Sequence, residues 1–568
     1  MDSSSAPYMQ IKNRLKSIYK HEISDEQVEQ FVRLTENNKQ DVKAPTSKWD
    51  EKDTILITYG DSVKHDNEYP LQVLKRFLNN HLKPAISCVH ILPFFPYSSD
   101  DGFSVMDYTK VNPALGTWKD VEDIHQEFDV MMDLVINHVS QKHQWFQNYL
   151  EDKEPGKGYF IDVDPDTDLS QVVRPRSSPL LTAFSTKTGT RHVWTTFSSD
   201  QVDLNFSNPD LLYEIIEVLF HYIHHGAKII RLDAIAFIWK KTGTTCLHLP
   251  EVHEIVKLFR DIVEYAAPQV ILLTETNVPN KENLSYFGDG DEANMVYQFS
   301  LPPLLLHGLH TGNSEYLKQW AKEIPDPGPG CTYFNFTASH DGIGVRPLEG
   351  LLPEDEKNTL ITNMQKFGGQ VSTKTNPDGT DSPYELNITY YDALKGTVNG
   401  EDNLQKERFI CSQTIMMAMK GIPAFYIHSL TATPNHYDGV NETGIKRAIN
   451  RKKWDEQTIN ELLEHDKTHS YVFNELKRLI VIRKNEVCFH PDAGQSIIEC
   501  DDRFFIISRS DEGRFLLSVS NLTSKYAYLS LKSIQIEENI KDLISGKTYS
   551  GFDEIHFAPY QTMWLVNE

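Results

Sequence analysis

The stretch that decides the fold reads KIIRLD and lies at residues 228–233. Arg231 and Asp233 alternate with apolar residues in this run, so on a strand their side chains point the same way. A second run, VILLT at residues 270–274, follows a segment of helical period and ends at Glu275. Short, nearly continuous apolar strands that alternate with helices are typical of a parallel sheet covered on both faces.

The same alternation extends along the chain in both directions. Eight apolar runs rich in β-branched residues are separated by segments of helical period. They lie at residues 54–58, 88–94, 130–136, 228–233, 270–274, 294–299, 333–338 and 422–427. Eight such units predict an α/β fold, a closed (β/α)8 TIM barrel with its helices outside.

Segments outside this repeat predict further domains. Residues 1–48 are expected to form an N-terminal extension of two short amphipathic helices, and the barrel to occupy residues 49–485. Two spacings are too long for one helix. They predict loop domains at the carboxyl ends of barrel strands, domain B at about 139–205 and domain B′ at about 346–403. Short alternating runs predict a C-terminal antiparallel β-sandwich at residues 486–568.

The composition narrows the class of protein. The 568 residues carry a formal net charge of −24, which disfavours binding to nucleic acid or anionic lipid. The six cysteines have no metal-ligand spacing, and we find neither a secretory signal nor an apolar run long enough for a membrane span. We therefore expect a cytoplasmic protein without metal or cofactor. Any anionic substrate must then be held by a local cluster of Arg or Lys.

Polar side chains stand where several predicted strands meet the following loop. Each alone has a simpler explanation, such as a helix N-cap. The carboxyl ends of barrel strands point at one pocket, however, and unpaired buried charges destabilise a fold. Three carboxylates with two histidines and an arginine in one pocket therefore predict a functional site. Its members are Asp233, Glu275, Asp341, His138, His340 and Arg231, and Asp100 and Asn137 stand at neighbouring strand ends.

Two kinds of chemistry fit three carboxylates without soft ligands. A divalent cation could lie among them with the two histidines, or two carboxylates could cleave an acetal while the third braces the sugar. A retaining enzyme places its two carboxylates about 5–5.5 Å apart, which neighbouring strands can supply. We favour this glycosyl interpretation, because a phosphotriesterase-like metal barrel would carry an HxH pair near its first strand, where residues 57–60 read ITYG.

The neighbours of the two carboxylates predict different protonation states. Arg231 stands two residues before Asp233 and is expected to keep that carboxylate ionised. Glu275 has no such neighbour in the sequence and could hold its proton near neutral pH. The pattern therefore indicates a nucleophile and an acid on adjacent strands.

These segments resemble the four conserved stretches of the α-amylase superfamily, glycoside hydrolase family 13. The stretches are DLVINH at residues 133–138, RLDA at 231–234, TE at 274–275 and SHD at 339–341. The resemblance implies that Asp233 is the nucleophile, Glu275 the general acid/base and Asp341 the transition-state stabiliser. It also implies glucose-binding roles for three further residues, His138, Arg231 and His340.

The resemblance extends over nearly the whole chain to the sucrose phosphorylase branch of that family. It is carried by SDDGF at residues 99–103, RPR at 174–176, FSSDQVD at 197–203 and INR at 449–451. It implies that Asp100 and Arg451 pair around the far hydroxyls of glucose. The remaining implied roles are apolar walls from Phe103 and Phe197, a sugar or acceptor contact from Gln201, and phosphate binding by either Arg174 or Arg176.

Within this branch the chain resembles the glucosylglycerate phosphorylase group. It shares the N-terminal extension, ETNVP at residues 275–279 and SPYE at 382–385. It departs from sucrose phosphorylase where fructose or phosphate would lie. The residues there are Asn277 in place of a histidine, Phe237 in place of a tyrosine, and Glu385 in place of a glutamine beside Tyr384 in a mobile acceptor loop.

The resemblance implies a retaining α-glucoside phosphorylase that converts 2-O-α-glucosylglycerate and phosphate into α-glucose 1-phosphate and glycerate. The expected partners are this sugar substrate, inorganic phosphate, a small anionic acceptor and a second copy of the chain in a homodimer. One alternative is a phosphorylase of sucrose, sucrose 6-phosphate or glucosylglycerol, or a hydrolase, with the same catalytic residues. Another is a non-catalytic sugar-binding protein, which would typically lack one of the three carboxylates present here.

Overall fold

Eight parallel strands close into a barrel in the computed structural model, which describes residues 5–376 and 379–567. The strands are β1 Ile55–Thr58, β2 Cys88–Ile91, β3 Asp129–Val135, β4 Ala227–Asp233, β5 Ile271–Thr274, β6 Met295–Tyr297, β7 Thr332–Phe336 and β8 Ile422–Tyr426. They pair in the order β1-β8-β7-β6-β5-β4-β3-β2, and the β1–β2 pair closes the cylinder. The predicted (β/α)8 barrel is therefore confirmed.

The sequence of these strands explains why they are central to the fold. Nearly every strand residue is buried, as expected for a parallel sheet enclosed by helices. The register places Arg231 of β4 beside Asp133 of β3, and Leu232 beside Thr274 of β5. Asp233 and Glu275, one residue further along, therefore emerge next to each other at the same end of the barrel.

Helices alternate with these strands on the outside of the barrel. Pro or a polar cap often starts them; the side chain of Asn208, for example, accepts a hydrogen bond from the N–H of Asp210. The main helices are Pro70–His81, Trp118–His125, Pro209–His224, Pro250–Ala266, Leu301–Thr311, Glu315–Glu323, Gln405–Ala418, Glu456–His465 and His469–Arg483. Shorter helices at Asn280–Leu284, Tyr390–Ala393, Ile427–Leu430 and Tyr437–Thr443 lie in the loops.

Two long insertions follow the carboxyl ends of β3 and β7. The first contains helix Gln144–Leu150, the antiparallel pair His138–Ser140 and Gln201–Asp203, and the hairpin Leu181–Thr186 and Gly189–Trp194. The second contains helix Glu354–Lys366 and a three-stranded sheet of Ile343–Gly344, Gln370–Thr375 and Asp381–Asn387. Both insertions therefore lie at the end of the barrel where β4 and β5 present their carboxylates. The exact residue ranges expected for domains B and B′ stay a prediction.

Both ends of the chain pack against the barrel. Helices Ala6–Tyr19 and Asp25–Asn37 form the N-terminal extension. Its Arg14 Nε lies 3.1 Å from Asp261 Oδ2 of a barrel helix. Residues 1–4 and 568 of the expected domains lie outside the described residues. At the C-terminus a six-stranded antiparallel sheet packs on a two-stranded one. The strands are Gly494–Ile497, Phe504–Asp511, Arg514–Asn521, Ala527–Ser530, Ile540–Asp542, Thr548–Tyr549, Glu554–Phe557 and Thr562–Asn567.

The search for membrane spans gave no candidate. Among residues 5–376 and 379–567, no helix combines the length and the apolar character needed to cross a bilayer.

Candidate active site

A pocket opens at the carboxyl ends of the barrel strands, between the two insertions. It encloses about 620 Å³, including its open mouth. It brings together residues that follow six of the eight barrel strands, including residues of both insertions, so the convergence expected from the sequence is observed. The lining residues are Asp100, Phe103, His138, Arg176, Phe197, Gln201, Asp233, Ala234, Phe237, Glu275, Thr276, Asn277, His340, Asp341, Tyr384, Glu385 and Arg447.

Arg231 holds Asp233 at the floor of this pocket. Its Nη1 lies 2.7 Å from Asp233 Oδ1 and 2.5 Å from Asp133 Oδ1, and its Nε lies 3.1 Å from the hydroxyl oxygen of Tyr297. His90 Nε2 lies 2.5 Å from the other oxygen of Asp133. Asp233 is therefore fixed by a buried network that leaves its second oxygen facing the pocket.

Glu275 lies beside Asp233 and shares the same guanidinium. Its Oε2 is 3.7 Å from Arg231 Nη2 and accepts a 3.1 Å hydrogen bond from the N–H of Ala234. Ala234 adopts a left-handed conformation, φ 49° and ψ 31°, which directs this N–H at the carboxylate. The N–H of Glu275 in turn donates to the carbonyl of Leu232. The two carboxylates thus line one pocket from adjacent strands.

The surroundings set different protonation states for the two carboxylates. Burial raises the pKa of Asp233 to about 6, although the charge of Arg231 opposes this rise. Burial likewise raises the pKa of Glu275 to about 7, and the Asp233 charge adds to the rise. Near neutral pH Asp233, with the lower pKa, is therefore the ionised member of the pair, and Glu275 is the member that keeps its proton more readily. Arg231 limits the rise of the Asp233 pKa without cancelling it, and Asp233 keeps the lower pKa of the two, as expected from the sequence.

Asp341 is the third carboxylate of the pocket. Its Oδ1 lies 2.6 Å from Arg447 Nη1 and 3.4 Å from His340 Nε2. Burial favours the neutral form of Asp341, but the charges of Arg447, His340 and the neighbouring arginines outweigh it, so its pKa lies below the usual value. Asn450 holds the loop by donating to the carbonyls of Ser339 and Asp341 at 3.1 and 3.0 Å. Asp341 therefore remains an anion.

The opposite wall is built around His138. Its Nε2 lies 2.9 Å from the carbonyl oxygen of Phe103 and 3.1 Å from Gln201 Nε2, which also lies 3.3 Å from Asp100 Oδ2. Burial lowers the pKa of His138, so the imidazole is neutral at pH 7. The ring of Phe103 stacks on that of His340 at 4.7 Å between centroids. These groups give the pocket one apolar face and one face of hydrogen-bonding groups.

Arg451 contacts both Asp100, its expected partner, and Asp101, which lies closer. Arg451 Nη1 lies 2.8 Å from Asp101 Oδ2 but 3.7 Å from Asp100 Oδ1, and its Nε donates to the carbonyl of His340. Asp100 and Asp101 both have positive φ, 52° and 47°, which turns the second carboxylate toward the arginine. Arg451 therefore lies behind the pocket lining and braces its edge.

Both insertions contribute to the rim of the pocket. The Arg176 guanidinium lies 5.9 Å from the Phe197 ring centroid and 5.4 Å from that of Tyr384, and Phe237 meets Phe197 edge to face at 5.4 Å. Asn277 Oδ1 is buried and has no hydrogen-bond partner among the described residues. The rim thus offers a cation, aromatic faces and an unused acceptor.

Of the two arginines that the sequence offered as alternatives, Arg176 lines the pocket and Arg174 does not. Arg174 lies outside the pocket, in a separate cleft with Arg346 and Lys374, where its Nη2 donates to the carbonyl of Ser178. Arg447 was not expected, yet it contacts two pocket carboxylates. Its Nε and Nη2 donate to the two oxygens of Glu385 at 3.0 and 2.8 Å. The only signal in the sequence was its position four residues before Arg451.

The metal interpretation finds no support in the arrangement of ligands. Within the described ranges, no three His, Cys, Asp or Glu side chains are grouped so that they could hold a metal ion. In the pocket, arginines separate the carboxylates: Arg231 lies against Asp233 and Glu275, and Arg447 against Asp341. The pocket carboxylates are thus paired with guanidinium groups instead of being grouped around a common cation position.

Comparison with known proteins agrees with this geometry. The alpha-amylase catalytic domain family matches residues 82–324. The glucosylglycerate phosphorylase of Escherichia coli K12 is 42% identical over 560 residues, which cover 98% of this chain and 99% of the relative. That of Allomeiothermus silvanus is 44% identical over 522 residues, 91% of this chain and 92% of the relative.

A solved structure shows the same fold. The sucrose 6F-phosphate phosphorylase from Thermoanaerobacter thermosaccharolyticum superposes with a TM-score of 0.73 at 25% sequence identity. The match covers 89% of this chain and 98% of that structure. The chain therefore belongs to the alpha-amylase family, glycoside hydrolase family 13, and within it to the family of the glucosylglycerate phosphorylases.

Proposed function

We propose that the protein is a retaining phosphorylase that converts 2-O-α-glucosylglycerate and inorganic phosphate into α-glucose 1-phosphate and glycerate. Three relatives named glucosylglycerate phosphorylase, at 42%, 44% and 43% identity over at least 91% of this chain, support the substrate. The observation that carries the proposal is that Asp233 and Glu275, from adjacent strands, line one pocket and contact one guanidinium.

In the first half-reaction Asp233 attacks C1 of the glucosyl unit. The bond from C1 to the glycerate oxygen breaks, and Glu275 gives its proton to that oxygen, so glycerate leaves as the alcohol. The product on the enzyme is a β-glucosyl ester of Asp233. The protonation states suit this step, since an ionised Asp233 attacks while a protonated Glu275 donates.

In the second half-reaction a phosphate oxygen attacks C1 from the face that glycerate left. The ester bond to Asp233 breaks, and Glu275 takes the proton of the attacking phosphate, which restores both carboxyl groups. Two inversions return the α configuration as α-glucose 1-phosphate. Both steps pass through an oxocarbenium-like state, whose positive charge the ionised Asp341 stabilises.

We assign the glucosyl unit to the floor of the pocket. His138, Gln201 and Asp100, on the wall beside it, offer hydrogen bonds to hydroxyls. Phe103, which stacks on His340, and Phe197, which lies tilted against His138, offer apolar surface to the sugar ring. Arg231 and His340 act from below by orienting the carboxylates, and Arg451 acts by bracing the Asp100–Asp101 turn.

We assign phosphate to the rim, beside Arg176. Among the described residues this guanidinium has no carboxylate within 4.0 Å and lies against two aromatic rings, so its charge is available to an anion. Asn277, Phe237 and Tyr384 line the same region.

The six cysteines are unpaired, which supports a reducing compartment and thus the cytoplasm. A homodimer stays a prediction.

Product analysis tests this proposal directly. Incubation of the enzyme with 2-O-α-glucosylglycerate and phosphate should release α-glucose 1-phosphate, and synthesis with that donor should accept glycerate ahead of glycerol, fructose and fructose 6-phosphate. Asp233→Asn should lower turnover by about 10,000-fold or more, because the amide cannot form the ester. Release of free glucose alone, or a variant that keeps more than a few per cent of its activity, would show that the proposal is wrong.

A further inference from the structure

A second cleft opens on the outside of the barrel, apart from the catalytic pocket. It encloses about 880 Å³, including its open mouth. Sites for small molecules usually enclose about 300–1,000 Å³. The cleft lies between the loop after β2, the start of helix Gln144–Leu150 and one face of helix Pro209–His224. Among the residues that the structure describes, none lines both this cleft and the catalytic pocket.

Three aromatic rings form one wall of the cleft. The ring centroid of Tyr108 lies 5.5 Å from that of His143 and 5.8 Å from that of Trp145, and the last two are 4.5 Å apart. The three side chains are only 2%, 5% and 9% exposed, so their neighbours hold them in place. The hydroxyl of Tyr108 donates to the carbonyl of Val135 at 2.6 Å. The wall therefore presents fixed ring surface, on which the apolar C–H face of a sugar ring can pack.

Two N–H donors of this wall are available to a ligand. His143 Nδ1 accepts a 3.1 Å hydrogen bond from the backbone N–H of Trp145, so the proton of the neutral imidazole is on Nε2. Burial lowers the pKa of His143 to about 4, and the ring is neutral at pH 7. Within residues 5–376 and 379–567, neither His143 Nε2 nor Trp145 Nε1 has a hydrogen-bond partner. Buried N–H groups are normally hydrogen-bonded, so these two indicate acceptor atoms on a ligand.

The helix across the cleft supplies acceptors. Glu214 and Glu217 lie one turn apart on the same face of helix Pro209–His224. Glu214 accepts from the hydroxyl of Tyr159, and neither glutamate has an ion-pair partner in the described part of the chain. Burial raises the pKa of both carboxyl groups, and the charge of Glu217 adds to the rise at Glu214. One side of the cleft therefore donates hydrogen bonds and the other accepts them.

The charge of the cleft excludes anionic ligands. No Lys or Arg is found in its lining, as far as the structure describes it. Lys110, just outside, is paired with Asp107 at 2.8 Å, and burial lowers the pKa of His221, which is therefore neutral at pH 7. The unmatched carboxylates repel phosphate, α-glucose 1-phosphate and glucosylglycerate, all of which carry negative charge. The substrates of the catalytic pocket therefore do not fit this cleft.

A neutral sugar matches all three features of the cleft, whereas an organic cation matches only two. A cation would use the carboxylates and the ring faces, but it cannot accept from the two N–H groups. The hydroxyls of a sugar donate to the carboxylates and accept from the N–H groups, while its C–H face packs on the rings. We infer that this cleft is a second, non-catalytic binding site for a neutral sugar.

Trp145 itself reports on the cleft in the experiment that tests this site. The chain has eight tryptophans, and the described lining of the catalytic pocket contains none. The full-length enzyme would be labelled with 5-fluorotryptophan and observed by 19F NMR, with Trp145→Phe to assign the resonance. Methyl α-D-glucopyranoside, a neutral probe, should shift the Trp145 resonance and saturate with a Kd of about 1–10 mM. The anion α-glucose 1-phosphate and the cation choline should bind there at least about tenfold more weakly.

Variants on the opposite wall separate specific binding from a general effect of the sugar. Glu217→Ala should weaken the probe by about tenfold, whereas Glu217→Gln, which keeps an acceptor oxygen, should weaken it by less than about threefold. His224→Ala, at an exposed position of the same helix outside the cleft, should bind as the wild type does. Phe103→Ala, which alters only the catalytic pocket, should also leave the titration unchanged.

Three results would overturn the inference. The first is a Trp145 resonance that does not move with up to about 100 mM of the neutral probe. The second is a stronger response to choline or to α-glucose 1-phosphate than to the neutral sugar. The third is a titration that Phe103→Ala abolishes and Glu217→Ala leaves unchanged, since the shift would then come from the catalytic pocket. Because no turnover is measured, the outcome does not depend on the proposed function.

Discussion

The floor and the rim of the pocket are built in different ways. At the floor, Arg231 is 2% exposed and joins Asp133, Asp233 and Glu275 through contacts between adjacent barrel strands. At the rim, Arg176 and Tyr384 come from the two insertions and meet through a cation–π contact. The floor is set by strand register, whereas the rim depends on how two long loops approach each other.

This difference assigns separate tasks to the two regions. A network of buried ion pairs has few alternative arrangements, so it suits the step in which charges must be held within a fraction of an ångström. Loops can be exchanged without disturbing the barrel, so they suit the choice between acceptors. We therefore expect floor substitutions to affect every reaction of the enzyme, and rim substitutions to change which acceptor is used.

After loss of the nucleophile itself, the largest expected effect comes from Glu275 at the floor. Glu275→Gln should lower kcat/KM for 2-O-α-glucosylglycerate by about 100- to 10,000-fold, because glycerate leaves poorly without a proton. With α-glucose 1-phosphate as donor the loss should be at least tenfold smaller, since phosphate needs less help to leave. Glu282→Gln, an exposed residue on the following helix, is the matched control. Equal losses with both donors would contradict the assignment of Glu275 as the acid.

A second floor prediction concerns the buried support of the nucleophile. Asp133→Asn should destabilise the fold by about 3–5 kcal/mol, because it removes the charge paired with Arg231 and leaves one acceptor oxygen where Arg231 and His90 use two. The charge of Asp133 also raises the pKa of Asp233, so its loss should move the acid limb of activity to lower pH. Thermal unfolding and a pH profile measure both effects. If neither the thermal stability nor the pH of the acid limb changed, Asp133 would not support the nucleophile as described.

The pH dependence tests the floor as a coupled pair. Below a pH of about 6 Asp233 is protonated and cannot attack, and above about 7 Glu275 has lost the proton that it must donate. A plot of kcat/KM against pH should therefore be a narrow bell with its maximum between these values, falling about tenfold per pH unit outside them. In Glu275→Gln the alkaline limb should disappear while the acid limb stays. A profile that is flat from pH 5 to 9 would exclude this pair.

The smallest expected effect belongs to the rim. Arg176→Ala should raise the ratio of hydrolysis to phosphorolysis by about tenfold, because water then competes with a more weakly held phosphate for the glucosyl-enzyme. The rate at which the donor substrate is consumed should stay near that of the wild-type enzyme, since the substitution leaves the floor unchanged. Arg191→Ala, on the same insertion but paired with Asp162, is the control. A loss of donor turnover as large as that of Glu275→Gln would break the division between floor and rim.

The sequence predicted the floor more fully than the rim, for a physical reason. The strand ends at Asp233, Glu275 and Asp341 follow from apolar runs and parallel register, which are local features of the chain. Arg447 approaches Glu385 from 62 residues away in the sequence, through two loops whose paths no periodicity specifies. Arg174 and Arg176 are two residues apart, yet only the second lies in the pocket, and this choice depends on one turn of the insertion.

Smaller features of the fold were also beyond the sequence pattern. Asp101 is a closer partner of Arg451 than Asp100 is, and this depends on two consecutive residues with positive φ. In the C-terminal domain, strands Ile540–Asp542, Thr548–Tyr549 and Glu554–Phe557 were not predicted, because runs of two to four residues are too short to show alternation.

The covalent step is the claim on which everything else depends, and trapping it is the most direct test. The wild-type enzyme would be incubated with a 5-fluoro-α-glucosyl fluoride in the absence of phosphate, digested with pepsin and sequenced by tandem mass spectrometry. A slowly hydrolysed glucosyl label should be found on Asp233, and the Asp233→Asn enzyme should remain unlabelled. A label on Glu275 or Asp341, or none on a wild-type enzyme that the reagent inactivates, would contradict the account.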